Sequence, residues 1–583
     1  MRKLAIGFGA TSLTRDELRN EYPGRDYSTG WRLRIKFEFT ERHLDILLDS
    51  AFPFVPPRIT LVDRPPFLTW PHVEEDGILC LLADSTPTDS TNPAGLTEVL
   101  LHDAIKLVGG LEKGQYLDHF REEFLTYWSQ SGVLGVKFFS LLRNGLRSNR
   151  VVHAWMGANS IFVGEKASDV TTWLEHRFGP KPKFKKTEEC LFVWISKAPL
   201  PSEYPKTSAD IMKLLAETGS EVLFKKLLKQ ENVMRSILLG FETDHGDSLV
   251  AVTLYKHTPD KQHPKSRGRV GSGFRPGRIP HQVLMSQFLA ASGKVIPSMV
   301  ERIDHNWVHG RDSDPAQDEL KKTAITVLGC GSLGSFVAHQ LAMAGVGTLY
   351  LVDPQTLTSS NSGRHFLGAR YLGKSKAVSL GFELQQNFPH LTVRGFHMGW
   401  EEFHRRHIRE FQSSAIVLSL IGDWNSEVLL NRIHIESGRT QDFLYGWTED
   451  FAAAGHAVVV RSTGGCFCCH FDSIGNAERR LVHVSEGTRR QEPACGALFQ
   501  PYGPVELSST VSLISSLALE CLLKRVDASI HWMWKGSTAR LRQEGGEWNP
   551  QAMHTFGVDG IDNLRISTDW TRTEKCFMCG GVF

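Results

Sequence analysis

Cysteine is the residue type in this 583-residue chain whose spacing most directly indicates chemistry. Five of its ten cysteines form two close clusters, Cys466-Phe-Cys468-Cys469 and Cys576-Phe-Met-Cys579. Two CxxC pairs supply four thiolates, the ligand set of a tetrahedral structural Zn²⁺ site. The spacing favours Cys466 with Cys469, leaves Cys468 as an alternative ligand, and pairs Cys576 with Cys579. We expect such a zinc ion to hold the chain together and to do no chemistry; the alternative is packed cysteines without metal.

A glycine-rich turn, Gly329-Cys-Gly331-Ser-Leu-Gly334, joins an apolar run to a helical pattern. Glycines let the backbone turn tightly and approach a phosphate, and the helix N-terminus favours negative charge. Asp353 lies 19 residues beyond Gly334, at the end of the next apolar run, where it can accept hydrogen bonds from ribose hydroxyls. These features predict a nucleotide site, and an NAD-dependent dehydrogenase would fit them equally well.

Polar residues further along the chain decide against hydride transfer. Asn361, Arg364 and Lys376 offer a set of donors for a triphosphate. Asp423 follows another apolar run and offers an oxygen ligand for Mg²⁺. Because hydride transfer requires no such set, the pattern favours ATP and Mg²⁺.

With these residues, positions 325–524 resemble the adenylation domain shared by ubiquitin-activating enzymes and the ThiF/MoeB proteins. The family order Asp–Asn–Arg–Lys–Asp is matched by the five polar residues named above. The family usually has Asn after the last Asp, where this chain has Trp424. A preceding stretch resembles the segment that lends an arginine to the nucleotide, and both Arg302 and Arg311 are candidates. The resemblance implies a Rossmann-like parallel sheet, bound ATP, zinc knuckles and a homodimer formed through this domain.

Cys495 stands in the loop Glu492-Pro-Ala-Cys-Gly, after the first cysteine cluster. It resembles the loop cysteine that carries the acyl group as a thioester in ubiquitin-activating members of the family. The alternative is a structural cysteine, as in relatives that only adenylate.

Near the N-terminus, the run Ala51-Phe-Pro-Phe-Val-Pro-Pro-Arg-Ile59 precedes Trp70-Pro-His72 and Gly77-Ile-Leu-Cys80-Leu. This pattern resembles a ubiquitin-conjugating enzyme, which implies that Cys80 is an acyl-carrying nucleophile. The family has His-Pro-Asn before its cysteine, and here His72 takes the place of the Asn. A histidine can donate a similar hydrogen bond to an oxyanion. The alternatives are a buried strand cysteine and an inactive module that only binds.

Three zones must position these residues, and together they predict an α/β protein. Residues 1–136 form a ubiquitin-conjugating-like (UBC-like) α+β domain, and residues 137–299 an α/β linker domain of unknown function in which 209–228 has helical spacing. Residues 300–583 form the adenylation domain, where strands alternating with helices imply a parallel sheet. Lys and Arg total 66 against 64 Asp and Glu, a net charge of +2 that gives no reason to expect nucleic acid. No apolar run approaches ~18 residues, and we read no signal peptide, so we expect a cytoplasmic protein with no membrane contact.

The order of the three zones resembles the bacterial fusion proteins of CBASS antiphage operons. The resemblance implies a ligase that adenylates the C-terminal carboxylate of a protein, carries it on Cys495 and then Cys80, and joins it to an amine. The expected partner is a cGAS-like nucleotidyltransferase or a ubiquitin-like protein, and the acceptor is unknown. Two alternatives are a sulfur-carrier adenylyltransferase with a non-catalytic front domain and a non-enzymatic scaffold.

Overall fold

A computed structural model describes residues 7, 9–82, 86–228, 233–244, 246–255, 293–484, 490–491, 498–499 and 502–580. The chain divides into two compact units, and each contains two stretches of sequence. The first unit is Met1–Ala167 with Lys186–Glu301, and the second is Ser168–Lys185 with Arg302–Phe583.

The strands are β1 Thr11–Ser12, β2 Tyr27–Lys36, β3 Glu41–Asp49, β4 Arg58–Leu61, β5 Lys137–Ser140, β6 Arg150–Met156, β7 Ser160–Gly164, β8 Glu188–Ile195, β9 Val233–Thr243, β10 Gly246–Tyr255, β11 Lys294–Arg302, β12 Ala324–Leu328, β13 Thr348–Val352, β14 Thr392–Phe396, β15 Ile416–Ser419, β16 Asp442–Thr448, β17 Ala454–Val460, β18 Val482–Val484, β19 Arg490–Gln491, β20 Leu498–Phe499, β21 Ile530–Lys535, β22 Gly546–Trp548 and β23 Leu564–Asp569. The α-helices are α1 Arg15–Glu21, α2 Pro93–Glu112, α3 His119–Glu122, α4 Phe124–Ser129, α5 Ala167–Phe178, α6 Ser208–Glu217, α7 Glu221–Leu227, α8 His305–Gly310, α9 Gln317–Leu320, α10 Ser332–Met343, α11 Ser359–Ser362, α12 Lys376–Asn387, α13 Trp400–Arg406, α14 Ile408–Ser413, α15 Trp424–Glu436, α16 Pro504–Leu522, α17 Thr538–Gln543 and α18 Pro550–Phe556.

In the first unit, β1 to β4 form an antiparallel sheet in chain order, and α2 packs on one face of it. The helix begins at Pro93, where no N–H is needed, and Asn92 Oδ1 caps it by accepting from the backbone N–H of Gly95 at 3.1 Å. The loop after β4 returns to that strand, because Leu79 N–H donates to the carbonyl of Ile59 at 2.9 Å. The next residue, Cys80, therefore lies at the surface, directly after a backbone hydrogen bond that fixes the position of the loop.

The rest of the first unit is a closed barrel, with strands in the order β10-β11-β5-β7-β6-β8-β9. It mixes antiparallel pairs with two parallel ones, β5 with β7 and β8 with β9. The helical spacing over residues 209–228 predicts one helix, and this prediction is wrong: α6 and α7 are separate. Gly219 adopts φ 69° between them, a left-handed conformation that ends a helix at low cost.

The second unit contains an eight-stranded sheet in the order β14-β13-β12-β15-β16-β17-β21-β23. Its first five strands are parallel, as the alternation of strands and helices predicts. The last three run antiparallel, which the sequence pattern does not indicate. The glycine-rich turn lies between β12 and α10, at the carboxyl edge of the central strands, where open α/β sheets bind ligands.

Apolar clusters cover both faces of this sheet. One face packs on α10, α12 and α16, and the other on α13, α14 and α15. Within the described ranges α16 is the helix long and apolar enough to cross a membrane, contrary to the expectation that no apolar run approaches ~18 residues. Its apolar face, with Leu507, Ile514 and Leu517, lies in the core against the sheet.

Candidate active site

The turn between β12 and α10 requires glycine at two positions. Gly329 adopts φ 89°, and a Cβ there would meet the carbonyl oxygen of Leu420 at 2.6 Å. A Cβ on Gly334 would meet the carbonyl oxygen of Gly329 at 1.8 Å. Gly331 has no atom within 4 Å of the position of a Cβ, so its backbone faces open space. This is an open cradle at a helix N-terminus, which suits a phosphate.

Asp353 is fixed at the end of β13 by two backbone donors. Its Oδ2 accepts from the N–H of Cys330 at 2.8 Å, and its Oδ1 accepts from the N–H of Gln355 at 2.7 Å. The buried Lys376 donates from Nζ to Gln355 Oε1 at 2.7 Å. His365, which is also buried, contacts the carbonyl of Cys330 through Nε2 at 2.7 Å. The structure therefore gathers Asp353 and Lys376 around the first residues of the glycine turn.

Asn361 and Arg364 lie on and just after α11. Thr358 Oγ1 donates to Asn361 Oδ1 at 3.0 Å, and the Arg364 guanidinium lies 4.9 Å from the ring centre of Tyr502. The hydroxyl of Tyr502 lies 3.1 Å from Ser332 Oγ, in the first turn of α10. Tyr502 thus connects the arginine to the glycine turn, a role that nothing in the sequence pattern indicated.

Asp423 is the N-cap of α15, and its Oδ1 accepts from the N–H of Ser426 at 2.9 Å. The next residue, Trp424, packs its ring against Phe471 at a centroid distance of 5.1 Å. Its indole therefore extends the aromatic surface at the position where the family resemblance implies an asparagine. Behind it, burial raises the pKa of the Glu427 carboxyl to about 7, and the Ser419 hydroxyl donates to that carboxyl at 3.2 Å.

A cavity of about 690 Å³ adjoins this edge of the sheet. Its lining includes Gly331, Gly422, Glu427, Trp447 and Arg480. It combines the open glycine of the turn with aromatic walls and with charges of both signs. Its volume is large enough for the end of a peptide chain, which would lie next to the glycine turn.

The two arginine candidates differ in their surroundings. Arg302 is buried and forms ion pairs with Asp304, at 2.7 Å, and with Asp312. Arg311 is exposed and adopts φ 49° at the end of α8. Of the two, Arg311 is the one at the surface.

The structure brings the four predicted zinc ligands together. Cys466, Cys469, Cys576 and Cys579 are buried, and their Sγ atoms all lie within 4.8 Å of one another. Individual Sγ–Sγ distances are 3.6, 3.4 and 3.9 Å. A tetrahedral site with Zn–S bonds of ~2.3 Å requires about 3.8 Å between sulfurs. Cys468 lies outside the cluster, so Cys466 is the residue that fits the first knuckle.

Cys495 lies outside the described residues, so its role as an acyl carrier stays a prediction from the sequence.

Cys80 is exposed, and its N–H donates to the carbonyl of His72 at 2.9 Å. Crowding by protein atoms and the carboxylates of Glu74 and Glu123 raise the pKa of its thiol to about 11. The exposure excludes the alternative of a buried strand cysteine. At neutral pH the sulfur is a protonated thiol that needs a proton acceptor before it attacks.

His72 has partners that the sequence did not predict. Its Nε2 lies 2.6 Å from Nδ1 of His119, and its Nδ1 lies 3.9 Å from Oε2 of Glu123. Its backbone N–H donates to the hydroxyl of Tyr127 at 2.9 Å. Both ring nitrogens therefore face protein groups, so oxyanion donation by His72 stays a prediction and would require one of these contacts to open. His119, Glu123 and Tyr127 belong to no motif, so sequence reasoning missed them.

Fold and site define an enzyme that combines activation with conjugation. Residues 308–548 match the model of the ThiF family, and residues 5–133 match the model of Prokaryotic E2 family B. The chain is thus a fusion of an E2-type conjugating domain with a ThiF-type adenylation domain that uses ATP.

Two curated relatives match this chain over most of its length, and a third matches about a third of it. The chain is 27% identical to the ATP-dependent ubiquitin transferase-like protein Cap2 of Pseudomonas aeruginosa, over 92% of this chain and 91% of that protein. It is 21% identical to Cap2 of Escherichia coli, over 80% of this chain and 81% of the relative. The ubiquitin-like modifier-activating enzyme 5 of Rattus norvegicus is 22% identical over 36% of this chain and 50% of its own length. Among solved structures, E. coli MccB shares 15% identity over 46% of this chain and 68% of that chain, with a TM-score of 0.33.

Proposed function

We propose that this protein activates the C-terminal carboxylate of a protein partner with ATP and transfers the acyl group through two cysteines to an amine. The observation that carries the proposal is the presence, in one chain, of a glycine cradle with Asp353 and Lys376 and of an exposed, backbone-anchored Cys80. The 27% identity over nearly the full length to a protein named as an ATP-dependent ubiquitin transferase-like protein supports an ATP-dependent transferase.

The first step takes place at the glycine turn. A carboxylate is a poor acyl donor, and its oxygen attacks the α-phosphorus of ATP with loss of pyrophosphate. Lys376 and Arg364 are the cations that would stabilise the phosphates, and Asp353 would hold the ribose. Asp423 would offer an oxygen to Mg²⁺, which neutralises phosphate charge when bound. Arg311, at the surface, is our candidate for an arginine given to the nucleotide of a second copy in a homodimer.

The next steps convert the acyl-adenylate into an amide. The thiolate of Cys495 attacks the acyl carbon and AMP leaves. The sulfur of Cys80 then takes the acyl group by thioester exchange, and a lysine amine finally displaces it. Zn²⁺ held by the four clustered cysteines would tie the C-terminal segment to the adenylation domain without entering a step.

The partner that we propose is a protein tail, from a cGAS-like nucleotidyltransferase or a ubiquitin-like protein. The ubiquitin transferase-like names of the Cap2 proteins support a protein substrate, and the setting that we propose is antiphage defence in a bacterial cytoplasm. The near-neutral charge is consistent with local recognition of a tail rather than of nucleic acid.

The test uses the full chain with ATP, Mg²⁺ and a cGAS-like nucleotidyltransferase as the candidate partner. We expect ATP–pyrophosphate exchange and thiol-sensitive adducts on non-reducing gels, with one adduct lost in Cys495→Ala and a later one lost in Cys80→Ala. Exchange without any adduct would support a sulfur-carrier type of adenylyltransferase instead. Failure of exchange with every partner drawn from the two classes would contradict the proposal.

A further inference from the structure

The strongest unused cluster of titratable groups in the described residues surrounds His72, next to Cys80. It contains His119 at the start of α3, Glu123 between α3 and α4, and Tyr127 on α4. The Tyr127 hydroxyl accepts from the N–H of His72 at 2.9 Å and donates to Glu123 Oε2 at 3.2 Å. One short segment thus holds both the backbone and the ring of His72.

The backbone of His72 is strained, which indicates that the surrounding structure holds this residue in place. Its φ of 59° is a left-handed conformation that is unfavourable for a residue other than glycine. Its carbonyl accepts from Cys80 N–H while its own N–H reaches Tyr127. The strain therefore places the imidazole between the cysteine loop and the α3–α4 segment.

The carboxylate of Glu123 favours one of the two tautomer arrangements of His72 and His119. If His119 donates from Nδ1, the proton of His72 lies on Nδ1 and faces the carboxylate of Glu123. The opposite choice points a nitrogen lone pair at that carboxylate and repels it. Burial, with repulsion from His119, lowers the pKa of His72 and so favours its neutral form. In the favoured arrangement Nε2 of His119 carries a lone pair, and among the described residues it has no hydrogen-bond partner.

We propose, on the basis that Cys80 carries the acyl group as above, that Nε2 of His119 accepts the proton of the attacking amine, with His72 and Glu123 as positioning residues. The nitrogen of a neutral lysine amine bonds to the acyl carbon, and the carbon–sulfur bond breaks with its electron pair on sulfur. The amine proton passes to His119, and the resulting imidazolium returns a proton to the thiolate of Cys80. Atoms and charge balance, and no co-reactant is required.

The surroundings explain why a proton carrier is needed there. A thiol with a pKa of about 11 leaves as a strongly basic thiolate and takes up a proton at neutral pH. The charged or titratable groups around the pair and the sulfur are Glu122, Glu123, Glu74, Arg58, Tyr116 and Tyr127. Three of these groups are carboxylates, which stabilise a protonated His119 at the end of the pair.

The experiment separates this inference from the activation steps. Full-length protein with Cys495→Ala is loaded at Cys80 from a fluorescent peptide thioester of 2-mercaptoethanesulfonate, without ATP, and Cys80→Ala gives the background. Discharge to free L-lysine is then followed at a series of pH values. Failure to load Cys80 would overturn its carrier role in the proposed function, and this inference with it; normal loading isolates the proton-transfer step.

For the discharge we expect His119→Asn to be slower by about 10²-fold. After division by the fraction of neutral amine, the wild-type rate should rise as the histidine pair loses its proton and then level off, and the variant should lose that dependence. His119→Ala should recover in part with added imidazole, and Glu123→Gln should show a smaller loss. His102→Asn, on the exposed face of α2, is the matched control and should discharge normally.

Two results would overturn the inference. One is discharge by His119→Asn at the wild-type rate and with the wild-type pH profile, since Asn retains an N–H for His72 but supplies no base. The other is a wild-type discharge rate that shows no ionisation of the histidine pair. The second measurement requires no variant, so it decides the question even if the substitutions disturb folding.

Discussion

Gly334→Ala should abolish nucleotide binding, and the size of the effect follows from one distance. A Cβ at this position would lie 1.8 Å from the carbonyl oxygen of Gly329, whereas real Cβ contacts essentially never fall below 3.0 Å. The start of α10 must therefore move by at least 1.2 Å relative to the turn. Displacements of about 1 Å at a reacting centre cost roughly 10²-fold in rate, and overpacking costs about 1–3 kcal/mol of stability.

The assay is isothermal titration of the full chain with ATP and Mg²⁺, together with a thermal melt. We expect ATP binding to weaken strongly and the Tm to fall, and the rate of ATP–pyrophosphate exchange to drop by about 10²-fold. Gly368→Ala is the control, because its Cβ would meet nothing within 4 Å and its φ is −90°. ATP binding by Gly334→Ala at the affinity of Gly368→Ala would refute the role given to this turn.

Three further predictions follow from buried groups. Cys576→Ser should lower zinc content below one ion per chain and lower the Tm, whereas Cys468→Ser should keep its zinc, as measured by atomic emission. Glu427→Gln should stabilise the protein at pH 8 by about 3 kcal/mol but change little at pH 4. The folded pKa of about 7 lies above the ordinary 4.5, so wild-type stability falls as pH rises between these values. Urea unfolding at both pH values checks this difference, and equal effects would contradict it. Asp304→Asn removes one of two carboxylates from the buried Arg302 and should cost about 3 kcal/mol in urea unfolding; a cost near zero would mean that Asp312 suffices.

Local sequence signals predicted the elements around the glycine turn of the second unit closely. The apolar run 348–352 predicts a strand, which is β13 residue for residue, and the helical spacing of 376–387 predicts a helix, which is α12. Ser375 caps that helix, because its hydroxyl accepts from Val378 N–H. The glycine turn could also be predicted, since only glycine tolerates the positive φ angle and the close backbone contacts found there. Strong local constraints of this kind need no knowledge of distant partners.

Features that depend on distant pairing could not be predicted in the same way. The barrel requires β5 to pair with β11. The alternation of apolar and polar residues along a strand does not indicate which other strand it pairs with. The contact of His72 with His119 spans 47 residues and joins two ordinary surface-type residues. The antiparallel end of the large sheet likewise depends on β21 and β23, whose positions no motif marks.

The cysteine cluster has a consequence for the order in which the protein is made. Its two halves are separated by 110 residues, from Cys466 to Cys576. At ~5–20 residues per second, a ribosome needs roughly 5 to 20 s to bridge that interval. During this time the first two thiols wait without their partners, and β21 and β23 have yet to join the sheet. The region that matches the E2 family, residues 5–133, is synthesised long before, so a nascent chain has Cys80, the proposed acyl acceptor, well before it has a complete adenylation domain.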